Sequence, residues 1–494
     1  MSTDTAKPVV QDHEELHFDP ESITDAELVV IEKRVIRKCE LFVTLPNAII
    51  WMFSFLDRIN IGNARIQGLE KDLHMKGRDY NMAIFLLFIP VILFEVPENL
   101  LMKRFPPSWV LSILLFGVGI MTIAQGLAQS YGALLACRFV LGIFESGLGP
   151  AGKYMISMFY QRAEIASRIG WYLSSALVAG AFAGLLAFAI AHMDGIFGYG
   201  GWSWIFIIEG CVTCVVAIIM KFWLPDWLED KKGKGPYFLT KVERAVLRRR
   251  LREDKETHEI GRMDHFDKTA FKYIVSDWKI YVGTMVFFGP STIAYCLAFF
   301  TPTILYQLHW SASTAQVRSI PIYAFAAIFL IFSTHFCKRF NRNCVFYMIG
   351  MTFVIIGLII LLCQHHVPVG ARYMALYFIV SGIYANLSIS MSWLLANCSG
   401  HYKRAWAIAF QNCVGNVGGI IAAFIFITSE APEYPTGYGT CLALGLMSGF
   451  SATVYLGGLW WENRRRERGK LDWRIESAGS DNMGDAHPKF RFIY

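Results

Sequence analysis

A chain of 494 residues that is 54% hydrophobic and only 17% charged falls short of the roughly 25% charge usual in soluble globular proteins. With 38 Phe, 21 Tyr and 14 Trp, the composition is that of a polytopic membrane protein. The net charge of +7 does not mark a nucleic-acid binder, because the Lys and Arg residues sit in short clusters between apolar runs, as cytoplasmic loops place them.

Residues 1–40 are polar and lack the apolar stretch of a signal peptide, so they read as a cytoplasmic tail. A spanning helix needs about 20 apolar residues. Twelve segments qualify: 41–64, 81–101, 107–128, 131–155, 169–191, 203–223, 279–300, 318–336, 344–364, 371–395, 405–428 and 438–460. They divide the chain into a six-helix bundle over 41–224, a charged cytoplasmic loop over 225–278, a second bundle over 279–461 and a cytoplasmic tail over 462–494. The predicted fold is therefore an all-α membrane protein of twelve transmembrane helices in two six-helix halves. In many transporters such halves rock about a site near the bilayer midplane.

Orientation follows from charge. Lys103 and Arg104, Arg162 and Arg168, Lys338 to Arg342, and Lys403 and Arg404 follow the even-numbered helices, while the loops after helices 3, 5 and 11 carry no Lys or Arg. Both termini are placed in the cytoplasm, and the plasma membrane is the expected location. The eleven Cys residues lie mostly in apolar helices and read as small hydrophobes.

Charged residues inside membrane helices cost roughly 2.5–3.5 kcal/mol each on insertion scales and mark solute or ion paths. Here they concentrate in the first half. The first helix carries Asp57, Arg58, Asn60 and Asn63. Asp57, Asn60 and Asn63 share a face, and Arg58, turned by about 100°, can reach a different neighbour. In the fourth helix Arg138 and Glu145, seven residues apart, project on one face about 10 Å apart. A guanidinium can hold a carboxylate in a bidentate fork, and a carboxyl group in a partly dry cavity can take up and release protons. Glu95 and Glu98, beside Pro97 and near Lys103 and Arg104, are expected to tie helix 2 to a cytoplasmic gate, and Glu209 has a similar reading. Helices 7–12 offer Tyr295, Asn386, Trp393, Asn397, Gln411, Asn412 and Asn416 instead of charge.

Two other patterns are coincidental. His13-Glu-Glu-Leu-His17 fits the zinc-protease pattern but lies in a polar tail without a third ligand. Gly147-Leu-Gly-Pro-Ala-Gly152-Lys153 resembles a phosphate loop, but Tyr154 stands where Ser or Thr is needed and no strand precedes it. It reads as a closely packed helix end. No metal, cofactor or enzymatic constellation is expected.

The strings Leu56-Asp-Arg-Ile-Asn-Ile-Gly-Asn-Ala64, Phe94-Glu-Val-Pro-Glu-Asn99, Arg138-Phe-Val-Leu-Gly-Ile-Phe-Glu-Ser-Gly147, Gly201-Trp-Ser-Trp-Ile-Phe-Ile-Ile-Glu-Gly210, Lys403-Arg404, Gly415-Asn416 and Ala431-Pro-Glu-Tyr434 resemble the anion:cation symporter branch of the major facilitator superfamily. The similarity is greatest to its fungal allantoate-permease subgroup and covers roughly residues 40–470. It implies proton-coupled movement of a small organic anion such as nicotinate, pantothenate, biotin or allantoate. Arg58 and Arg138 would match the anion-handling arginines and Asp57 and Glu145 the proton-coupling acids, with Asn416 in the cavity wall. Trp393 is added as a substrate-facing aromatic. Glu95, Lys103, Arg104, Lys403 and Arg404 are expected to serve as gating or structural charge. Ser203, Glu98 and the loop after helix 8 depart from the family pattern. The expected partners are a small organic anion, protons and the lipid bilayer, with no nucleic acid, and the expected state is a monomer. Import across the plasma membrane leads; export of an acidic metabolite or a sensor that transports little are the alternatives.

Overall fold

The computed structural model describes residues 25–190, 193–228, 236–257, 273–340, 342–399, 401–471, 473, 484–488 and 490–494. Among these residues eleven helices are long and apolar enough to cross a membrane. The spanning set begins with α1 (Leu45–Ile66). Next comes Asp79–Arg104, 26 residues with Pro90 and Pro97 inside it, which packs among the others as α2 and completes twelve. The first half continues with α3 (Pro107–Gly126), α4 (Tyr131–Phe159), α5 (Arg162–Ile190) and α6 (Gly201–Trp223). The second half comprises α7 (Trp278–Tyr306), α8 (Ala312–Phe340), α9 (Asn343–Leu362), α10 (Val369–Ala396), α11 (His401–Ile425) and α12 (Pro435–Glu467).

Two elements differ from expectation. Helix Asp25–Cys39 runs through a short π-helical stretch, Glu40–Thr44, straight into α1. Hydropathy could not find it because it is charged; it is held instead by contacts with helix Lys241–Thr257 from the central loop. Lys38 pairs with Glu243 at 2.7 Å. Second, α4 is interrupted at Ser146–Gly147 and restarts at Leu148. Beyond the break Gly149 lies against the Trp51 ring and Gly152 against Tyr172, the close packing that its glycines suggest.

The halves meet along α1 with α7, α2 with α11, and α5 with α8. Their contact is tightest at the end away from the chain termini, called the distal end below. A Cβ at Gly62 of α1 would lie 2.6 Å from the Phe299 carbonyl oxygen of α7, and one at Gly184 of α5 would lie 2.6 Å from the Gln316 carbonyl oxygen of α8. Only glycine lets the helix backbones approach so closely. Hydrogen bonds add to this seal: Gln67 Nε2 donates to Gln316 Oε1 (3.3 Å), Asn81 Nδ2 to the Phe426 carbonyl (3.2 Å) and the Tyr80 hydroxyl to the Phe299 carbonyl (3.4 Å).

At the terminal end each half has its own cap. The first half is covered by Asp25–Cys39 and Lys241–Thr257, with Arg250 paired to Glu164 at 2.8 Å. The second half receives residues 484–494 of the chain. Asp485, fully buried, sits between Lys279 (3.0 Å) and Lys403 (2.6 Å); Asp277 pairs with Lys279 at 2.8 Å and also with Lys403. Burial raises the Asp485 carboxyl, but the two ammonium groups outweigh it and hold it well below the usual carboxylate range. Asn397 and Asn463 bond the main chain of Ile493 and Phe492.

Candidate functional site

Between the halves lies a cavity of about 930 Å³ of empty space. Its lining residues stand in the middle or the terminal half of their helices: Trp51 to Arg58 on α1, Val91 and Glu95 on α2, Glu145 to Lys153 on α4, Phe287 to Tyr295 on α7, Tyr384 to Met391 on α10, Asn412 and Asn416 on α11. The cavity therefore lies beneath the distal seal and faces the terminal end.

A chain of polar contacts crosses it. Arg58 Nε donates to Glu145 Oε1 at 2.7 Å, and both side chains are at most 3% exposed. Ser54 donates to the same oxygen at 3.2 Å. Arg58 Nη1 donates to the Tyr295 hydroxyl (3.1 Å), which donates to Asn416 Oδ1 (3.0 Å); Asn416 Nδ2 donates to Glu95 Oε2 (3.1 Å). The Arg58 guanidinium also lies 5.7 Å from the Tyr295 ring and 5.8 Å from the Phe88 ring, within cation–π range. A second crossing runs from Lys153 Nζ to Asn412 Oδ1 at 2.9 Å. Glu145 Oε2, Glu95 Oε1 and Asn412 Nδ2 have no hydrogen-bond partner among the described residues. They are the unsatisfied atoms a ligand would be expected to meet, since buried polar groups seek partners.

A second set of charges lies behind this wall. Asp57 Oδ2 accepts from Thr213 of α6 at 3.2 Å, while Oδ1 has no partner. Arg138 is fully buried; among the described residues none of its guanidinium nitrogens has a hydrogen-bond partner, and it lies 5.8 Å from the Phe206 ring. Its charged neighbours include Glu145 and Asp57. Glu209 of α6 adjoins Asp57 electrostatically with both oxygens unpartnered.

The structure thus brings Arg58, Glu145 and Asn416 to the cavity and leaves Asp57 and Arg138 out of its lining. The offset between Asp57 and Arg58 on α1 places them on different sides, as their spacing implies. Arg138 is a correction: it lies one and a half to two turns nearer the distal end than Glu145, where the halves are sealed, so it is enclosed rather than exposed to the cavity. Trp393 is a second correction. It packs on Tyr455 with ring centroids 4.8 Å apart and donates to the Ile493 carbonyl at 3.0 Å, so the indole belongs to the terminal segment's seat and not to the cavity wall. Asn397 shares that role. Glu95, expected at a gate, is a cavity residue. Arg104 is exposed at the end of α2, Lys403 lies in the cluster around Asp485, and Arg404 donates to the Cys398 carbonyl at 2.7 Å. The side chain of Lys103 and the His13–His17 pattern lie outside the described residues.

Lys153 was missed as a site residue because its string was dismissed as a false phosphate loop. The signal was present: an ionisable residue in a membrane helix is a site candidate whatever motif it ends.

The Major Facilitator Superfamily model matches residues 48–423. An uncharacterized transporter of Schizosaccharomyces pombe is 32% identical over 96% of this chain and 93% of its own length. The major facilitator-type transporter hxnP of Emericella nidulans is 31% identical over 94% of this chain and 93% of its own. The high-affinity nicotinic acid transporter of Saccharomyces cerevisiae is 27% identical over 94% and 85%. Among solved structures, the proton:xylose symporter XylE bound to 6-bromo-6-deoxy-D-glucose superposes with a TM-score of 0.66 at 13% identity, covering 85% of this chain and 95% of that one. A bacterial homolog to the human lysosomal transporter Spinster, inward-facing and unoccupied, gives 0.61 at 18% identity, covering 84% and 95%. With a family model spanning most of the chain and a matching twelve-helix architecture, this multi-pass membrane protein belongs to the major facilitator superfamily of secondary transporters.

Proposed function

We propose that the protein couples the inward movement of a proton to that of a small organic anion, a monocarboxylate or vitamin-like acid, across the plasma membrane. Its termini face the cytoplasm, and its place is in the fungal allantoate-permease subgroup of the anion:cation symporters. The observation that carries this reading is the buried Arg58–Glu145 pair at the cavity wall. A solute carboxylate and the Glu145 carboxylate compete for one guanidinium. A proton on Glu145 removes the competitor and leaves a buried cation short of charge compensation, which is costly until an anion arrives. Proton and anion therefore favour each other's binding, and this coupling is reciprocal. Around Glu145 stand Ser54, Arg58 and Tyr295, with Arg138 and Asp57 behind them.

In this scheme Arg58 holds the carboxylate, and Tyr295 and Asn416 bind its flank. Asp57 and Glu145 carry protons, while Arg138 balances the two acids from behind. The nicotinic acid transporter among the relatives supports the choice of an organic acid.

The test is uptake of labelled nicotinate, pantothenate, biotin, allantoate and a dipeptide into yeast lacking its own carriers, at outside pH 5 and pH 7. The expected result is uptake of one acid, faster at pH 5 and abolished by a protonophore. In the same cells Glu145→Gln should lose pH-driven accumulation yet retain counterflow exchange. Surface-localised protein that takes up none of the five would count against import, and efflux of preloaded acids would then be measured.

A further inference from the structure

Among the described residues four acidic or basic side chains line the cavity, and they fall into two sets. Arg58 and Glu145 are paired directly. Glu95 and Lys153 are each other's main charged neighbour, yet no ion pair joins them among the described residues; each reaches across to α11 instead, to Asn416 and Asn412.

Lys153 is 7% exposed and its ammonium group has three N–H donors. One goes to Asn412 Oδ1. The nitrogen of the same Asn412 amide has no hydrogen-bond partner among the described residues. Among the described residues Lys153 thus makes one of the three hydrogen bonds it can donate, and the neighbouring Asn412 amide nitrogen makes none. A cluster of donors with a positive charge fits an oxyanion. We infer that Lys153 and Asn412 form a second oxyanion site, so that the carrier takes two-headed acids, one carboxylate on Arg58 and the other acidic group on Lys153. This rests on the carboxylate reading of Arg58.

Glu95 has Lys153, Asn416, Cys413 and Arg58 around it. Two carboxyl groups in one site share a proton rather than both ionise, so the second head and Glu95 hold one between them. Glu145 and Lys153 stand eight residues apart on either side of the break in α4, so the Arg58 and Lys153 heads occupy separate places along the wall. Solutes with well-separated acid groups match this spacing.

The experiment measures binding to the purified full-length protein in lipid nanodiscs for two matched pairs, hexanoate against adipate and benzoate against terephthalate. A charge-assisted hydrogen bond predicts that the diacid of at least one pair binds about tenfold or more tightly than its monoacid. Lys153→Met should erase that preference by weakening the diacid at least about tenfold more than its monoacid, with monoacid binding still measurable, and Lys153→Arg should keep it, by the charge that both side chains carry. The retained monoacid binding shows that the variant is folded. A diacid preference that survives Lys153→Met, or none in the wild type, overturns the second site while monoacid binding lost in Arg58→Gln leaves the carboxylate reading standing. Failure of all four acids to bind the wild type overturns both.

Discussion

The two halves share one architecture and use charge in opposite ways. In the first half the ionisable groups lie inside the membrane helices and are under-partnered: Arg138 and Glu209 have no hydrogen bonds among the described residues, and Asp57, Glu95 and Glu145 each keep an oxygen unsatisfied. In the second half the middles of the helices hold no charged residue. Its buried charges gather at the terminal end, where Asp277, Lys279, Lys403 and Asp485 alternate in sign and every one meets two opposite partners. With each charge offset by two opposite ones, this cluster acts as a brace. An unsaturated one exchanges partners readily. On the proposed reading, the first half supplies the charge that handles solute and proton, while the second half is braced at its terminal end.

The largest expected effect tests the brace. Asp485→Ala leaves Lys279 and Lys403 sharing Asp277, and breaking a buried charge set in this way costs about 3–5 kcal/mol. The midpoint of thermal unfolding in detergent should drop accordingly while any residual transport keeps its substrate preference. The same cluster sets a pH response. Asp485 has a lower proton affinity folded than unfolded, so its contribution is present above the ordinary carboxylate value of 3.8 and is lost as pH falls below it. The unfolding midpoint should thus owe nothing to this group's titration between pH 7 and about pH 5, and Asp485→Asn should weaken the acid-side decline.

The next effect tests the responsive half. Arg58→Lys keeps the charge but loses the planar fork, so carboxylate affinity should fall by about tenfold to a hundredfold, as for one charge-assisted hydrogen bond. Arg138→Lys, out of the cavity, should alter the pH dependence of transport more than the apparent solute affinity. Equal losses of affinity in the two variants would break the distinction between the wall and the charges behind it.

A smaller effect concerns the seal. Gly62→Ala places a methyl group against the Phe299 carbonyl, a clash worth about 1–3 kcal/mol. It should open the distal end, read as faster labelling of a cysteine introduced there. Gln67→Ala removes a single partly buried hydrogen bond to Gln316; at about 1 kcal/mol its effect on the same labelling should be several-fold at most.

Much of this organisation was legible in the chain. Spanning helices are long apolar runs, and hydropathy finds them whatever their neighbours. The separation of Asp57 from Arg58 follows from helical periodicity alone, and the contrast between a charged first half and an amide-rich second from the residue content of the helices. What failed depended on depth and on distant chain. Arg138 and Glu145 do lie near each other, but periodicity carries no information about where along α4 the halves close. Trp393 and Asn397 sit in an apolar helix beside cavity residues, yet their partners come from about a hundred residues later, in a polar segment with no hydropathic signature. Lys153 was hidden by its glycine-rich setting, because the motif was weighed and the lone charge inside it was not.

The links that cross the cavity, Arg58 to Tyr295, Glu95 to Asn416 and Lys153 to Asn412, fasten one half to the other. A bound solute would take over some of those donors and loosen the fastening. An unloaded carrier then has more bonds to break before it turns over than a loaded one. On the proposed reading its return trip should be the slow leg of the cycle, and swapping one solute for another across the membrane should outpace net accumulation.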